Sequence, residues 1–338
     1  MSPESVQIIV NPTSGGGKVK RLIPELEAGL REMGALGPIR FTDGPGHATE
    51  MARRAAEEGA SRLLVVGGDG TVHEVANGLL SGAEGPPPAI SLLPVGTGND
   101  FHRMIRGPGG VEGALRRLKD GTPRLFDVGE VRWDGERRYF VNLLGVGVDA
   151  EVLRRREGFR WLTGLPQYLA ALGGALLTFR GIPLDVNLDG GGEETGRPFP
   201  GAPGSGHDPQ EGGEPGPSGR EIHGEVLLAA ITVGPSVGGG FLLAPTATPD
   251  DGLLDLFVVE RLGLFKIMRY LPRVLRGTLD GEPEIHVHRL TRARFRSPDG
   301  SAFSFELDGE LMPTEATALE VGVRPACLPV LEIVEDEE

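Results

Sequence analysis

Cysteine is almost absent from this chain, because only one residue of 338, Cys327, is a cysteine. A single cysteine excludes a disulfide framework and a cysteine-based metal cluster, and it fits a reducing cytoplasm. The seven histidines show no metal-ligand spacing, and His286 and His288, which alternate along a predicted strand, are interpreted as structural. The chemistry is therefore expected from other side chains.

Positive charge is also scarce. The chain has 34 Lys and Arg against 48 Asp and Glu, which gives a formal net charge of -14. Such a balance argues against general nucleic-acid affinity, so no nucleic-acid partner is expected. It disfavours adhesion of the whole surface to anionic membranes, but a local basic patch would still allow it.

Long apolar runs are missing too. The longest apolar-looking stretch, Leu162 to Phe179, is interrupted by Pro166, Gln167 and several glycines. It is interpreted as a buried or interfacial helix and not as a transmembrane span. The first seven residues are too polar for a signal peptide. We expect a cytoplasmic protein, with peripheral association at the inner face of the membrane.

The most informative motif is the glycine-rich loop Gly67–Thr71. It follows the apolar run Leu63–Val66, which is typical of a buried strand, and it precedes a helix predicted over Val72–Leu80. Thr71 and Glu74 stand in capping-box spacing, which marks the helix start. Free amide groups at that helix N-terminus, with the positive end of the helix dipole behind them, predict an anion site.

Asp69 is the unusual residue of this loop. A carboxylate beside a phosphate cradle is repulsive unless a metal or a proton transfer needs it. The loop Gly96–Asp100 also follows a predicted strand, so Asp100 is expected beside Asp69 at the same sheet edge. Two converging carboxylates are costly without a cation, and Asp127 is a candidate third member. The aspartates therefore indicate nucleotide chemistry with magnesium.

Strands and helices alternate in the first third of the chain, which predicts a parallel sheet covered by helices. Its glycine-rich loops, after Val10, Val66 and Leu93, would meet at one sheet edge. Strand-like runs dominate the rest and predict a mostly antiparallel β domain. The cleft between the two domains is the expected site.

One segment has a different composition. Of the 32 residues 189–220, 17 are Gly or Pro, and apolar side chains are almost absent. Such a segment buries too little surface to offset its ordering entropy. It is interpreted as a disordered hairpin extension between two strands, with a partner-binding loop as the alternative.

Three further loops are weaker signals. Asn11–Lys18 follows a strand but is not a Walker loop, since Pro12 replaces the first glycine. Beside Gly67–Thr71 it becomes a second nucleotide contact. Gly145–Ala150 matches a dinucleotide fingerprint without the second parallel strand, so a tight turn is favoured. Asp308–Glu310 is typical of a hairpin turn.

The segment Leu153–Arg180 contains five arginines with leucine and aromatic side chains between them. A basic helix that carries aromatic residues suits a membrane interface, so this segment is predicted to dock there. The alternative is that its leucines are ordinary core and its arginines a solvated face, because helical spacing alone does not separate the two.

Taken in order, these motifs resemble the diacylglycerol kinase catalytic family, which includes soluble bacterial diacylglycerol kinases and sphingosine kinases. A lone GGDGT loop is shared with NAD kinases and phosphofructokinases, whereas the ordered set is specific. The matching segments are Asn11–Gly15, Thr42 with Gly46–Ala48, Gly67–Thr71, His73–Gly78, Pro94–Phe101, Gly238–Gly240, Ala244–Pro245, Asp251–Gly252 and Asp308–Glu310.

This resemblance implies an α/β fold in two domains. Residues 1–128 would form a parallel-sheet nucleotide-binding domain, and residues 129–323 a mostly antiparallel β-sandwich domain that carries the insertion 189–220. The tail, about 324–338, would return to the first domain, and the active site would lie in the interdomain cleft. The implied reaction is ATP- and Mg²⁺-dependent transfer of the γ-phosphoryl group to a lipid hydroxyl, of diacylglycerol or a related lipid, at a membrane surface. A homodimer is left open.

The resemblance also assigns roles to residues. Asp308 or Glu310 is the candidate general base, with Asp69 as the rival. A water-mediated magnesium network is implied for Asp69, Asp100 and Asp127, and a structural cation for Asp250 and Asp251. The implied nucleotide-binding residues are Asn11, Pro12, Ser14, Gly15, Lys18, Thr42, Gly67, Gly68, Gly70, Thr71, Glu74, Gly96, Thr97 and Asn99.

Two positions depart from the family pattern. His73 stands where bacterial members often have Asn, and Val233 stands where an Asn commonly precedes the Gly-Gly-Gly loop. The identity of the lipid therefore stays open. An NAD kinase and a non-catalytic lipid- or nucleotide-binding protein remain as alternative functions.

Overall fold

The N-terminal part of the chain folds as a parallel sheet between helices. The structure, a computed structural model, describes residues 6–34, 38–82, 85–159, 162, 165–194, 220–279 and 281–334. The elements of this part, in chain order, are β1 (Val6–Val10), α1 (Ser14–Gly17), α2 (Val19–Glu32), β2 (Ile39–Phe41), α3 (His47–Glu57), β3 (Arg62–Gly67), α4 (Asp69–Leu80), β4 (Ala89–Pro94), α5 (Asp100–Arg103) and α6 (Gly110–Asp120). The strand order is β4-β3-β1-β2, with parallel pairing throughout. Helices cover both faces of this sheet, which is why its central strands are continuously apolar.

The remaining elements are mainly antiparallel strands. They are β5 (Thr122–Trp133), β6 (Glu136–Phe140), β7 (Leu143–Gly147), α7 (Val148–Arg156), α8 (Leu165–Thr178), β8 (Ile182–Glu194), β9 (Arg220–Thr232), β10 (Ser236–Val237), β11 (Phe241–Leu242), β12 (Leu254–Glu260), α9 (Leu264–Val274), β13 (Ile285–Arg296), β14 (Phe305–Leu307), β15 (Glu310–Leu311) and β16 (Ala318–Glu332). Their pairings enclose an apolar core of Val, Leu, Ile and Phe side chains. The predicted fold class, an N-terminal parallel-sheet domain followed by an antiparallel β-sandwich, is confirmed.

Two long strands, β5 and β16, belong to both halves of the molecule. β16 pairs antiparallel with β5 and β13, and its residue Val330 pairs in parallel with Ile90 of β4. Its Leu319 is buried in the sandwich core, whereas its Val330 is buried in the core of the N-terminal sheet. The C-terminal strand therefore joins the two domains in one continuous sheet, and the predicted boundary at 128/129 falls inside β5.

The capping-box interpretation of Thr71 and Glu74 is wrong. Helix α4 already begins at Asp69, with Gly68 as its N-cap and no side-chain cap. The Glu74 carboxylate instead accepts hydrogen bonds from the backbone N–H groups of Gly46, at 2.8 Å, and Ala48, at 3.0 Å. Glu74 thus caps the neighbouring helix α3, where an acidic group also complements the helix dipole.

Two other predictions need correction. Gly145–Ala150 is not a tight turn, because β7 runs directly into α7 at Gly147, whose φ is +103°. The predicted disordered extension 189–220 is partly strand, since β8 continues to Glu194 and β9 begins at Arg220. The remainder, 195–219, lies outside the described residues. Within the described chain, no helix combines the length and apolar character needed to cross a membrane.

Candidate active site

Two cavities meet at the carboxyl edge of the parallel sheet. The first cavity, of about 350 Å³, lies between the loops that follow β1, β2 and β3. The second cavity, of about 460 Å³, lies between the loops after β3 and β4 and the sandwich domain. Both are lined by Gly68, Gly70 and Glu310. The glycine-rich loop Gly67–Thr71 and one acid of the second domain, Glu310, therefore form the border between the two cavities.

The loops of this edge are held together by close backbone packing. A Cβ on Gly68 would lie 2.8 Å from the Cα of Gly96, so only glycine allows the loops after β3 and β4 to touch. Asn11 Nδ2 donates to Thr71 Oγ1 at 3.0 Å, which fastens the loop after β1 to the start of α4. Gly15, with φ +59°, packs against the backbone of Val95.

Most of the predicted nucleotide residues border the two cavities. The first cavity is lined by Asn11, Pro12, Ser14, Thr42, Gly68, Gly70, Thr71 and Glu74. Gly96 and Thr97 line the second cavity. Gly15, Lys18, Gly67 and Asn99 line neither. Asn99, in the left-handed region with φ +53°, donates from Nδ2 to the Gly96 carbonyl at 3.0 Å and so shapes the loop.

Asp69 and Asp100 converge as the sequence predicts. A Cβ placed on Gly98 would lie 2.9 Å from Asp69 Oδ2 and 3.2 Å from Asp100 Oδ2, so both carboxylates face the same glycine. Burial raises the pKa of Asp69, a hydrogen bond from the Phe101 N–H lowers it, and the charge of Asp100 raises it further. Two carboxylates that face one point in a partly desolvated site fit a divalent cation, which would relieve their repulsion.

Asp127 lies in a different environment. Its Oδ1 accepts from the N–H of Ala326 at 2.8 Å, and its Oδ2 accepts from the N–H of Gly252 at 2.7 Å. The second cavity is lined by Asp69 and Asp100 but not by Asp127. A network of all three aspartates therefore stays a prediction that depends on intervening water.

Asp250 and Asp251 are engaged by arginines in place of the predicted structural cation. Arg124 holds Asp250 with two hydrogen bonds, at 2.7 Å and 2.6 Å, and Arg289 pairs with Asp251. Their charges are already balanced by these ion pairs. In the part of the chain that the structure describes, no group of three or more His, Cys, Asp or Glu is placed to hold a metal ion.

Asp308 is a structural centre between the domains. Its side chain is fully buried and accepts from the N–H groups of Val141 at 2.9 Å, Asn142 at 2.8 Å and Leu143 at 2.9 Å. Its Oδ2 also lies 2.7 Å from Nδ1 of His73 on α4. These four contacts occupy the lone pairs of the carboxylate, so Asp308 holds the β6–β7 connection against α4.

His73 completes this interdomain link. Burial disfavours the His73 cation, but the hydrogen bond and negative charge of Asp308, with the charges of Glu310 and Glu74, outweigh burial and raise the pKa of His73. The raised pKa favours the cationic form of His73, which would help to balance the buried charge of Asp308.

Glu310 faces the cleft from β15. Its Oε1 lies 2.9 Å from the position that a Cβ on Gly70 would take, so the carboxylate lies against the glycine-rich loop Gly67–Thr71. The surrounding protein raises the pKa of Glu310, chiefly through desolvation and then through the charges of Glu74 and Asp308, against the opposite effect of His73. Glu310 is therefore an accessible carboxylate with a raised pKa at the border of both cavities.

Sequence reasoning missed a second acidic pair, Glu306 and Asp149. Both line the second cavity, and a Cβ on Gly145 would lie 2.8 Å from an oxygen of each. Burial, followed by the charge of Asp149 and a hydrogen bond with it, raises the pKa of Glu306 well above its ordinary value. The sequence does contain a signal for this pair, because Glu306 stands between the apolar residues of strand Phe305–Leu307. A carboxyl group buried in such a strand needs a polar partner.

An apolar cavity, the third cavity, adjoins the second one. It is enclosed by α8, α9, β9 and β12, and it shares the lining residues Asp149 and Val237 with the second cavity. Its walls are almost entirely leucine, isoleucine, valine and aromatic side chains. The polar second cavity therefore borders the apolar third cavity.

Comparisons with known proteins support the resemblance. The model of the diacylglycerol kinase catalytic domain matches residues 5–131, and that of the YegS C-terminal NAD kinase beta sandwich-like domain matches residues 142–332. A diacylglycerol kinase of Staphylococcus carnosus (strain TM300) is 29% identical over 280 residues, 82% of this chain and 80% of that protein. A diacylglycerol kinase of Staphylococcus aureus (strain MRSA252) is 29% identical over 281 residues, 82% of this chain and 78% of that protein.

The fold is also that of solved structures. A crystal structure of a diacylglycerol kinase from Bacillus anthracis str. Sterne aligns with TM-score 0.67 at 20% identity, and it covers 98% of this chain and 97% of that one. A second structure from that organism aligns with TM-score 0.72 at 20% identity and the same coverage. The chain therefore belongs to the diacylglycerol kinase catalytic family, a family of lipid kinases, which are phosphotransferases that act on an alcohol group.

Proposed function

We propose that this protein transfers the γ-phosphoryl group of ATP to a hydroxyl group of diacylglycerol or a related lipid, with Mg²⁺. The observation that carries the proposal is the meeting of two cavities at Gly70 and Glu310, with Asp69 and Asp100 beside them. One cavity suits the nucleotide and the other suits the acceptor, so the transferred group would sit at their border.

The first cavity is suited to the nucleotide by its backbone. Helix α4 begins at Asp69 directly after Gly68, and its first N–H groups have no side-chain cap. Such a helix start offers unpaired donors and a favourable dipole to phosphate oxygens. Asn11 and Thr71, which are hydrogen-bonded to each other, would hold the neighbouring loop in place.

Asp69 and Asp100 are the residues that would hold Mg²⁺. When bound, the cation would neutralise phosphate charge during transfer. Ser236 Oγ, at 3.0 Å from Asp100 Oδ1, and the Gly239 N–H, at 2.6 Å from Asp100 Oδ2, orient the Asp100 carboxylate. The second domain therefore helps to position an acid of the first.

Glu310 is the proposed general base. Its raised pKa, its exposure to the cleft and its place against Gly70 suit a group that takes the proton of an acceptor hydroxyl. Asp308 is less suited because its oxygens already accept from three backbone N–H groups and face His73. Asp69 remains the rival.

The third cavity supports a lipid as the acceptor. An apolar space that opens beside Asp149 and Val237 would receive hydrocarbon while the hydroxyl group stays in the second cavity. A nucleotide acceptor would leave this apolar surface without a partner.

The test is a labelled-ATP assay with diacylglycerol, monoacylglycerol, sphingosine and NAD offered separately, with each product identified by mass spectrometry. We expect Mg²⁺-dependent phosphorylation of a lipid hydroxyl, and loss of that product in Glu310→Gln. NAD is included because the C-terminal domain matches a NAD kinase-like sandwich. Phosphorylation of NAD alone would establish a NAD kinase, and nucleotide binding without turnover would establish a non-catalytic protein.

A further inference from the structure

Helix α9 has two apolar faces, and only one of them is covered. Its Ile267, Tyr270, Leu271 and Val274 line the third cavity. On the outer side, Phe265 is 85% exposed, Met268 61% and Leu264 49%. A surface helix of a soluble domain normally presents polar side chains to water, so this outer face needs an explanation.

These exposed side chains are concentrated and not scattered. Eight large hydrophobic side chains are exposed to solvent in the described residues, and four of them lie within 264–275. The fourth member is Leu275, directly after α9. Single exposed leucines are ordinary on protein surfaces, but such a group on one helix is typical of an interaction site.

The charge of the same segment indicates the partner. Residues 261–279 contain five Lys or Arg and no Asp or Glu, in a chain of net charge -14. Lys266 pairs with Glu284 and Arg273 pairs with Glu282. Arg269 and Arg276 are exposed and make no ion pair within the described part of the chain. Basic groups around exposed apolar side chains complement an anionic lipid surface.

We propose that the outer face of α9, with Leu264, Phe265, Met268 and Arg269, docks this protein on anionic bilayers together with Arg276, which follows the helix. The apolar side chains enter the boundary between headgroups and acyl chains, and the arginines contact lipid phosphates. The opposite face of the same helix lines the third cavity, so docking brings that cavity to the membrane. This inference rests on the proposed function, because it assumes that the acceptor is a lipid.

In the segment Leu153–Arg180, which the sequence suggested for docking, three of the five arginines are engaged within the fold. Arg154 bonds to Glu151 and Ser304, and Arg155 bonds to Glu151 and Thr178. Arg156 lines the second cavity. These three arginines therefore have partners or a place within the fold, in contrast to Arg269 and Arg276 of the α9 segment. Of the other two, Arg180 is exposed, and Arg160 lies outside the described residues.

The test is flotation of the full chain with phosphatidylcholine vesicles, with and without phosphatidylglycerol. We expect binding only with phosphatidylglycerol, and loss of that binding at high salt. The variant Phe265→Ser/Met268→Ser should bind at least about tenfold more weakly, because it removes two exposed apolar side chains that would enter the bilayer. The matched control is Phe41→Ser/Leu125→Ser, which removes two exposed apolar side chains on other elements and should bind as the wild type does.

The arginines are tested in the same way. Arg269→Gln/Arg276→Gln should weaken binding about fivefold for each arginine, whereas Arg21→Gln/Lys119→Gln, which removes the same charge elsewhere, should have little effect. Equal weakening in both pairs would show general electrostatics and overturn the assignment to α9. The assignment to α9 would also be overturned if the wild type did not bind vesicles, or if the protein formed a dimer in solution that Phe265→Ser/Met268→Ser dissociates.

Turnover of a short-chain diacylglycerol in free solution separates this inference from the proposed function. The α9 variants should retain it, because none of their substitutions touches the second cavity. A wild type that phosphorylates the short-chain lipid but fails to bind vesicles overturns the docking role alone. A wild type that binds through α9 but phosphorylates no lipid overturns the proposed function alone.

Discussion

The two sides of the active-site cleft are built by different means. On the nucleotide side, glycines bring backbone against backbone, as at Gly68 and Gly96, and the helix start at α4 is left open. On the acceptor side, Asp308 is a buried carboxylate held by His73, whereas Glu306 is a buried acid whose pKa is raised by burial and by the charge of the neighbouring acid Asp149. The nucleotide side therefore offers unpaired backbone groups to a ligand, while the acceptor side combines one balanced carboxylate, Asp308, with acids that are not balanced, Glu306 and Glu310.

This difference teaches how to separate functional acids from structural ones. Asp69 and Glu310 face the cavities with raised pKa values and incomplete compensation, so a ligand or a proton can satisfy them. Asp308 is saturated by hydrogen-bond donors, so its loss should damage the fold as well as the reaction. The predictions below test this division.

Loss of Glu310 should have the largest effect on turnover. Glu310→Gln keeps the size of the side chain and removes the base, so kcat should fall about 10²–10⁴-fold with ATP affinity nearly unchanged. Steady-state kinetics and a nucleotide-binding titration measure the two quantities, with exposed Glu315→Gln as the control. Full turnover in Glu310→Gln would move the base to Asp69.

Asp69→Asn should lower turnover at least ~100-fold, on the order of 3 kcal/mol of transition-state stabilisation, because the proposed cation loses a ligand. The melting temperature should stay the same or rise, since a desolvated charge repelled by Asp100 is removed. Asp120→Asn, at an exposed position, is the control. Turnover near that of the wild type would contradict the metal role.

Asp308→Ala should mainly reduce stability, by about 3 kcal/mol or more, because three backbone donors and His73 lose a buried partner. Urea unfolding measures this loss. A variant as stable as the wild type but inactive would mean that Asp308 is a catalytic acid and that the division between functional and structural acids is wrong.

His73 should make the interdomain link pH-dependent. Its pKa is raised in the folded protein above the ordinary 6.5, so its stabilisation is complete below that value and is lost as pH rises through the folded pKa. The free energy of unfolding of the wild type should therefore exceed that of His73→Asn most at mildly acidic pH, and the difference should shrink towards alkaline pH. A difference that is constant with pH would show that His73 is neutral.

Much of the nucleotide side could be predicted from sequence because its signals are local. Strand Leu63–Val66, the loop Gly67–Thr71 and the helix after it are contiguous, and parallel strands bring such loops to one edge. Contiguity does not identify partners, however. Thr71 and Glu74 have capping-box spacing, yet Glu74 caps α3 and Thr71 accepts from Asn11.

The sequence by itself determined the alternation of strands and helices, the glycine loops and the convergence of Asp69 with Asp100. Only the tertiary structure decided that Asp308 is saturated while Glu310 is accessible, that Glu306 pairs with Asp149, and that β16 serves two cores. The physical reason is distance along the chain. Solvation and charge at a side chain depend on neighbours far away in sequence, such as His73 for Asp308, and no local pattern records them.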